Sequence, residues 1–160
     1  MLSPEIRLSQ ADSRELVATA RALFREYAEA IATDLEYQGF ASELANLPAP
    51  YLPPKGALLI AQVGAEVAGC VAMRPLDEGI GEMKRLYVRP AYRSFGLGRQ
   101  LIEAVIRAAR KARHRELRLD TLPSMMSAQA LYRQLGFVEI AAYNTTHLPG
   151  TRFYALQLDG

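Results

Sequence analysis

The feature that most constrains the fold is a strand pattern that runs through a glycine-containing turn into a helix pattern. Alternating side chains predict a strand over residues 80–88, with Met83, Arg85 and Tyr87 on one face and Glu82, Lys84, Leu86 and Val88 on the other. After the turn, apolar residues recur at helical spacing at Leu97, Leu101, Ile102, Val105, Ala108, Ala109 and Ala112. Another alternating segment follows at residues 116–122, so the helix joins two strands and predicts a parallel crossover.

The turn between this strand and this helix contains Arg93, Gly96 and Gly98. At the start of a helix the first backbone N–H groups have no partner within the helix, and the helix dipole adds positive potential there. Glycine has no Cβ, so a phosphate can approach the main chain closely, and Arg93 adds a cation beside it. The turn therefore indicates a diphosphate site, although two glycines in such a turn can also serve tight packing alone.

Two common nucleotide motifs are excluded at this turn. The dinucleotide-binding fingerprint requires a third glycine three residues after Gly98, where this chain has Leu101. A P-loop requires Gly-Lys followed by Ser or Thr, where this chain has Gly98-Arg99-Gln100. A diphosphate at this turn therefore belongs to another kind of ligand.

Two sequence blocks together resemble one protein family. Arg93-x-x-Gly96-x-Gly98, placed after Leu86-Tyr87-Val88-Arg89-Pro90, resembles the acyl-CoA pyrophosphate loop of the GNAT superfamily of N-acetyltransferases. The segment from Ala128 to Phe137 is similar to that family's Ala-x-x-Leu-Tyr-x-x-x-Gly-Phe block, and the two blocks stand in the family's order. The resemblance implies an acetyl-CoA-dependent acyltransferase that uses acetyl-CoA as co-substrate and no metal.

The rest of the chain predicts an α/β fold with a mixed sheet. We expect a single domain over residues 1–160, with a helix capped by Asp12 with Glu15 as its capping-box partner. The remaining elements expected are a strand at 5–9, a helical stretch at 34–47, strands at 57–63 and 66–76 joined at Gly64-Ala65, a helix at 127–135 and strands at 137–141 and 151–158. The resemblance implies a GNAT-like sheet of six to seven strands with helices on both faces. It also implies that the central parallel strands, 80–88 and 116–122, splay apart to admit the pantetheine arm and thioester.

The resemblance assigns catalytic roles to Tyr132 and Glu82. The family's matching tyrosine directs its hydroxyl at the sulfur of coenzyme A and protonates the leaving thiolate, which suits a phenol with a pKa near about 10. From its position alone, on the helix face that carries Ala128 and Leu135, Tyr132 also fits a core residue. Glu82 is implied as the base that deprotonates the acceptor ammonium, directly or through water; its alternative is a solvated carboxylate near a strand end.

The cofactor-binding residues expected from the resemblance lie on the central strand and in the turn. The strand backbone would bond the pantetheine amides, and one of its N–H groups would hold the thioester oxygen. The residues concerned are Leu86, Tyr87, Val88, Arg93, Ser94, Phe95, Gly96, Leu97, Gly98 and Arg99. Many family members have asparagine where this chain has Met125, which cannot make the same hydrogen bond; Ser124 is expected to replace that contact in part, or the contact is lost.

Composition limits the other classes of function. Half of the residues are apolar and 22% are charged, and no apolar run approaches the roughly 20 residues of a membrane span. The N-terminus lacks a signal-peptide pattern, so a cytoplasmic location is expected. The single cysteine, Cys70, lies in an apolar strand and is expected to be a buried thiol, while His114 and His147 lack metal-ligand spacing.

Nucleic acid is not expected as a partner, because the net charge is only +2 and no aromatic residues interleave with the basic run. That run is typical of a solvated helix end, although part of it can meet the 3′-phosphate of coenzyme A or an acidic partner. It consists of Arg107, Arg110, Lys111, Arg113, His114, Arg115 and Arg118.

The predicted function is transfer of an acetyl group from acetyl-CoA directly to a primary amine of a small molecule or a protein. The alternative is a catalytically silent acyl-CoA sensor or interaction module with the same fold. In the family the acceptor pocket is shaped by segments that match residues 27–55 and 141–150, which have no motif here and leave the acceptor open. Dimers are common in the family, and no residue here decides the oligomeric state. Four aromatic residues can line the acceptor pocket or merely pack: Tyr27, Tyr37, Phe40 and Tyr51.

Overall fold

The computed structural model describes residues 5–158 and every side chain among them except that of Tyr37. These residues form a seven-stranded sheet in the order β1-β2-β3-β4-β5-β7-β6. The strands are β1 Ile6–Gln10, β2 Ala57–Val63, β3 Glu66–Asp77, β4 Ile80–Val88, β5 Glu116–Thr121, β6 Val138–Ile140 and β7 Arg152–Gln157. The helices are α1 Arg14–Ala30, α2 Phe40–Asn46, α3 Leu97–Lys111 and α4 Met126–Gln134, with 3-10 turns at Leu35–Gln38, Ala49–Tyr51 and Pro90–Phe95.

The sheet divides the core into two layers. One layer contains apolar residues of α3 and α4, including Leu101, Ile102 and Val105, packed on Met73 and Met83. The other contains Leu23 and Phe24 of α1 packed on Leu58, Ile60 and Cys70. Helices therefore cover both faces of a mixed sheet, which confirms the predicted fold class.

The centre of the sheet is a parallel pair, β4 and β5, that separates part way along its length. The two strands pair at Ile80 with Glu116, at Gly81 with Leu117 and at Glu82 with Arg118. Beyond Glu82, β4 continues to Val88 and β5 to Thr121 without pairing to each other. The predicted splay is therefore present, and it opens a V-shaped gap between two strands that a continuous ladder would otherwise close.

A β-bulge at Arg85 corrects the alternation predicted for β4. Lys84 lies opposite Ala72 and Tyr87 lies opposite Cys70, so β4 has one more residue than β3 in this interval. Arg85 takes a left-handed backbone conformation with φ of 62°. The extra residue reverses the phase, so Leu86 packs in the same layer as Met83 instead of opposite it. The prediction of strict alternation through residue 88 was wrong for this reason.

Two details of the first 47 residues also differ from prediction. Ser13 rather than Asp12 caps α1, because its hydroxyl accepts a hydrogen bond from the N–H of Leu16 at 3.1 Å. Glu15 is therefore not the capping-box partner. The helical stretch predicted over 34–47 is divided at Gly39, which has a left-handed φ of 72° and separates a 3-10 turn from α2.

Candidate functional site

The gap between β4 and β5 contains a narrow cavity of about 50 Å³. Its walls come from both strands, from α4 and from the segment after α1. Residues that line it include Tyr27, Leu86, Asp120, Met125 and Tyr132. Tyr132, the side chain predicted to be catalytic, therefore belongs to the core layer of α3 and α4 and also borders this cavity.

Tyr132 is held in this wall by aromatic packing. Its ring centroid lies 5.7 Å from that of Phe137 and 6.0 Å from that of Tyr154, and 4% of the residue is exposed. Burial raises the pKa of the phenol above its ordinary value, with the charge of Asp120 adding to the effect. Its hydroxyl makes no hydrogen bond to any group in the described part of the chain. Tyr132 is thus a protonated phenol available to a ligand in the cavity.

The start of α3 has the properties of an anion site. Gly96, at the N-cap, has a φ of 73° and open space where a Cβ would lie, and it supplies no side-chain cap. Within residues 5–158, the N–H groups of Leu97, Gly98 and Arg99 donate to no protein group outside the helix, and the first-turn amides of a helix have no partner inside it. A Cβ on Gly98 would lie 3.3 Å from Leu131 of α4. Gly98 therefore serves close helix packing, and the diphosphate site at this turn stays a prediction.

The residues ahead of these amides are ordered by local contacts. Arg93 is exposed, and its Nε donates to the carbonyl oxygen of Val88 at 2.9 Å. Ser94 is exposed, whereas Phe95 packs against Tyr92 with ring centroids 5.8 Å apart. The Arg93 guanidinium is thereby fixed between the end of β4 and the start of α3.

Of the other predicted cofactor residues, Leu86 lines the narrow cavity, whereas Tyr87 packs in the layer under α1. Val88 is half-buried, and the exposed Arg99 lies 3.7 Å from Glu103 one helical turn away. Ser124 is exposed and is not among the residues that line the cavity, whereas its neighbour Met125 is.

Glu82 is buried rather than solvated, with 2% of the residue exposed. Its Oε1 accepts from Nε of Arg74 at 2.8 Å, and its Oε2 accepts from the hydroxyl of Tyr143 at 2.6 Å. Burial and the Glu82 charge raise the pKa of the Tyr143 phenol, so Tyr143 remains a donor. The carboxylate borders a second cavity of about 240 Å³ whose walls include Lys84, Asp120 and Asn144.

The second cavity adjoins the narrow one, because Gln38, Lys84 and Asp120 line both. Sequence reasoning did not single out Lys84 or Asp120. Burial raises the pKa of the Asp120 carboxyl, and the positive charge of Lys84 opposes part of that rise. The available signal was positional, since Lys84 and Asp120 are polar residues of β4 and β5 beyond the last paired residues, Glu82 and Arg118.

A buried ion pair supports the bulge from the α2 side. Nε and Nη2 of Arg85 donate to Glu43 at 3.0 and 2.6 Å, and the hydroxyl of Tyr51 donates to the same carboxylate at 2.8 Å. The guanidinium also lies 5.2 Å from the ring centroid of Phe40 and 5.8 Å from that of Tyr27. Three of the four aromatic residues named above thus surround this pair, and the side chain of Tyr37 lies outside the described residues.

Substitution of Glu43 by glutamine is expected to lower the free energy of unfolding by about 2 kcal/mol at pH 7, because it leaves Arg85 buried without its counter-charge. Burial alone would raise the pKa of Glu43, but the hydrogen bonds and charge of Arg85 outweigh it and lower that pKa. The carboxylate therefore stabilises the fold above its unfolded pKa, and this stabilisation is lost as the pH falls through the lower folded value. Urea denaturation at several pH values should show the wild-type advantage shrinking below about pH 4. Glu139→Gln, at an exposed pair, is the control.

The described residues contain no group of three or more metal-ligating side chains and no helix long and apolar enough to cross a membrane. Cys70 is buried, and burial raises the pKa of its thiol, which makes it a poor nucleophile. Most of the basic run is exposed as expected, whereas His114 is buried with its Nε2 2.9 Å from the carbonyl oxygen of Lys55.

Comparison with known proteins adds independent findings. A family model described as the acetyltransferase (GNAT) family matches residues 15–137. A Schizosaccharomyces pombe protein described as an N-acetyltransferase is 36% identical over 138 residues, which are 85% of this chain and 85% of that protein. An acetyltransferase of the GNAT family from Staphylococcus aureus has a TM-score of 0.81 at 22% identity, covering 97% of this chain and 100% of its own. An acetyltransferase from Salmonella typhimurium, solved with acetyl-CoA, has a TM-score of 0.72 at 22% identity, covering 96% and 94%. At these identities the two solved structures show a shared fold.

Proposed function

Because the chain belongs to the GNAT family of acetyltransferases, we propose that its cleft transfers an acetyl group from acetyl-CoA directly to a primary amine. The chain is an acetyl-CoA-dependent acyltransferase by family. The direct transfer, the amine and the residue roles are the proposal, as is a single catalytic domain over residues 1–160 in a cytoplasmic protein. The S. typhimurium relative, solved with acetyl-CoA, supports the same co-substrate here.

The observation that carries the proposal is that the chain combines three features that acetyl-CoA binding requires. Among residues 5–158 the amides at the start of α3 have no partner outside the helix, β4 and β5 splay apart, and the buried phenol of Tyr132 borders the cavity between these strands. The diphosphate of acetyl-CoA would accept from the N–H groups of Leu97, Gly98 and Arg99. The pantetheine arm would then lie along β4 beyond Glu82, where the ladder with β5 has ended and main-chain groups on that edge can bond its amides.

The proposed reaction has three stages, which are deprotonation of the amine, its attack on the thioester and departure of the thiolate. Glu82, directly or through water, takes a proton from the acceptor ammonium, because only the neutral amine has a lone pair for attack. The amine nitrogen bonds to the thioester carbon, and a backbone N–H in residues 86–88 stabilises the oxyanion. The carbon–sulfur bond then breaks, and Tyr132 gives its proton to the thiolate. The acetylated nitrogen loses its second proton to water. Glu82 releases its proton to solvent and Tyr132 takes one up, so both return to their starting states. The products are the N-acetylated amine and coenzyme A.

The alternative function is an acyl-CoA sensor without turnover, and one observation favours it. Met125 lines the cavity where many family members have an asparagine amide, so one cofactor contact is absent or moved to Ser124. Isothermal titration with acetyl-CoA, followed by coenzyme A release across a panel of amines, separates the two. Binding with release supports transfer, binding without release supports the sensor, and no binding at millimolar acetyl-CoA contradicts both.

Arg93→Ala is expected to weaken coenzyme A binding by about tenfold, because a charged hydrogen bond to phosphate is worth about 1.5–3 kcal/mol and Arg93 is partly screened by solvent. Isothermal titration at low and at physiological salt measures this. The wild-type affinity should fall more steeply with salt than that of the variant. Arg25→Ala, which removes an exposed arginine of α1, is the matched control. Equal losses in the two variants would show that Arg93 contributes only general positive charge.

A further inference from the structure

Lys84 contributes to the walls of three neighbouring cavities. It lines the narrow cavity beside Tyr132, the cavity of about 240 Å³ beside Glu82, and a cavity of about 530 Å³ under α2. Its cross-strand neighbour is Ala72, whose side chain belongs to the layer under α1. Lys84 therefore projects towards the face opposite α3, away from the expected coenzyme A site at the start of that helix.

The surroundings of Lys84 leave its charge without a matched anion. Its Nζ lies 3.5 Å from Oε1 of Gln38, and no carboxylate of the described residues lies within ion-pair distance of it. The adjacent Arg85 differs, because Glu43 already neutralises it. Burial, and then the charge of Arg85, lower the pKa of the Lys84 ammonium, while the charges of Glu82 and Asp120 oppose part of that shift. A half-buried ammonium that faces a cavity, and has no ion-pair partner among the described residues, can accept an anionic ligand.

The cavity of about 240 Å³ beside Glu82 also contains groups that would attract a cation. Glu82 and Asp120 line it together with Lys84 and Arg74. Arg74 is paired with Glu82, so Lys84 and Asp120 are the cation and the carboxylate left without an ion-pair partner in the described structure. An acidic cleft would suit a polyamine, whereas this cleft presents one charge of each sign side by side.

We propose that the acceptor is a small zwitterion, an amine that bears a carboxylate close to its amino group, as amino acids do. Lys84 binds the carboxylate, and the ammonium lies between Asp120 and Glu82 on the side of the cavity that adjoins Tyr132. This inference rests on the proposed acetyl transfer, and it names the substrate class for that same site. A polyamine would place a second cation against Lys84. The amino terminus of a peptide has no carboxylate close to its amino group for Lys84 to bind.

The test uses matched pairs of amines with the intact protein and acetyl-CoA. Each pair is an amino acid and its carboxamide, and spermidine is added as a polycation. Coenzyme A release should give a kcat/KM at least about tenfold higher for the acids than for the amides. Lys84→Met should remove that preference by raising KM for the acids while the amides keep their rate, and Lys84→Arg should retain it. Arg25→Met, at an exposed position of α1 that lines none of these cavities, is the control.

The outcomes separate this inference from the function on which it rests. Turnover of amines without preference for the acids, or an equal loss for acids and amides in Lys84→Met, overturns the zwitterion alone. Preference for spermidine overturns it in favour of a polyamine. Failure of every amine to release coenzyme A overturns the transfer itself. If Lys84→Met does not fold, the comparison of acids with amides in the wild-type protein still tests whether the acceptor carries a carboxylate.

Discussion

Tyr132→Phe is expected to lower kcat by at least about 100-fold while leaving the affinity for acetyl-CoA within about twofold. A positioned general acid contributes about 10²–10⁴-fold to rate, and the substitution removes that proton while keeping the ring. Because the ring packs against Phe137 and Tyr154, phenylalanine preserves the cavity wall and the fold. Coenzyme A release with the best amine of the panel gives kcat, and isothermal titration gives the affinity.

Tyr154→Phe is the matched control for this prediction. Tyr154 belongs to the same aromatic cluster and is 1% exposed, but its hydroxyl accepts a hydrogen bond from Arg133 and it does not line the narrow cavity. Loss of its hydroxyl should leave kcat within about threefold of wild type. Equal kcat values in Tyr132→Phe and wild type would mean that the thiolate leaves without a proton from Tyr132.

Glu82→Gln is expected to lower kcat/KM by about 100-fold near pH 7, and the loss should shrink as the pH rises. The reason is that the base matters only while the acceptor is protonated, and an alkyl amine with a pKa near about 10 deprotonates unaided in alkaline solution. Glutamine is isosteric, so it keeps one carbonyl oxygen to accept from Arg74 or Tyr143. A pH–rate profile from pH 6 to 10 measures both effects.

The same profile for Asp120→Asn shows which carboxylate is the base. The two side chains line one cavity, and the charge of Glu82 is among the causes that raise the pKa of Asp120. If Glu82 accepts the proton, Asp120→Asn should change KM more than kcat. A profile for Glu82→Gln that stays parallel to wild type across the whole pH range would assign Glu82 to structure and leave water or Asp120 as the acceptor of the proton.

The strand-turn-helix at residues 80–111 could be predicted because its signals are local. Alternation and helical spacing identify β4 and α3, and Gly96 and Gly98 identify the turn between them. The role expected of Tyr132 came instead from the resemblance of residues 128–137 to a family block, because its position on a helix face also fits a core residue. The fold class followed once a helix was seen to join two strands of one sheet.

The contacts that complete the site could not be read in this way, because they join residues distant in the chain. Glu43 and Arg85 are 42 residues apart, and Tyr143 and Glu82 are 61 apart. Local patterning contains no information about such pairs. The sequence therefore left open whether Glu82 is solvated, and tertiary contacts bury it.

The bulge shows how one residue changes an inference about a whole strand. Period-two alternation assigns every residue after Lys84 to the wrong face once Arg85 is inserted, and Arg85 is not glycine, so its left-handed φ has no sequence signal. The bulge turns Leu86 towards the narrow cavity and buries Arg85 against Glu43. The end of the pairing after Glu82 likewise brings Lys84 and Asp120 to one cavity.

The proposed function requires that the amides at the start of α3 bind the diphosphate of coenzyme A and thereby place its sulfur beside Tyr132. A crystal structure of the protein with coenzyme A tests it by two sets of distances. We expect diphosphate oxygens within about 3.2 Å of the backbone nitrogens of Leu97, Gly98 or Arg99. We also expect the sulfur to lie within hydrogen-bond reach of the Tyr132 hydroxyl, up to about 4 Å. A diphosphate bound elsewhere, or a sulfur that ends outside the gap between β4 and β5, would contradict it.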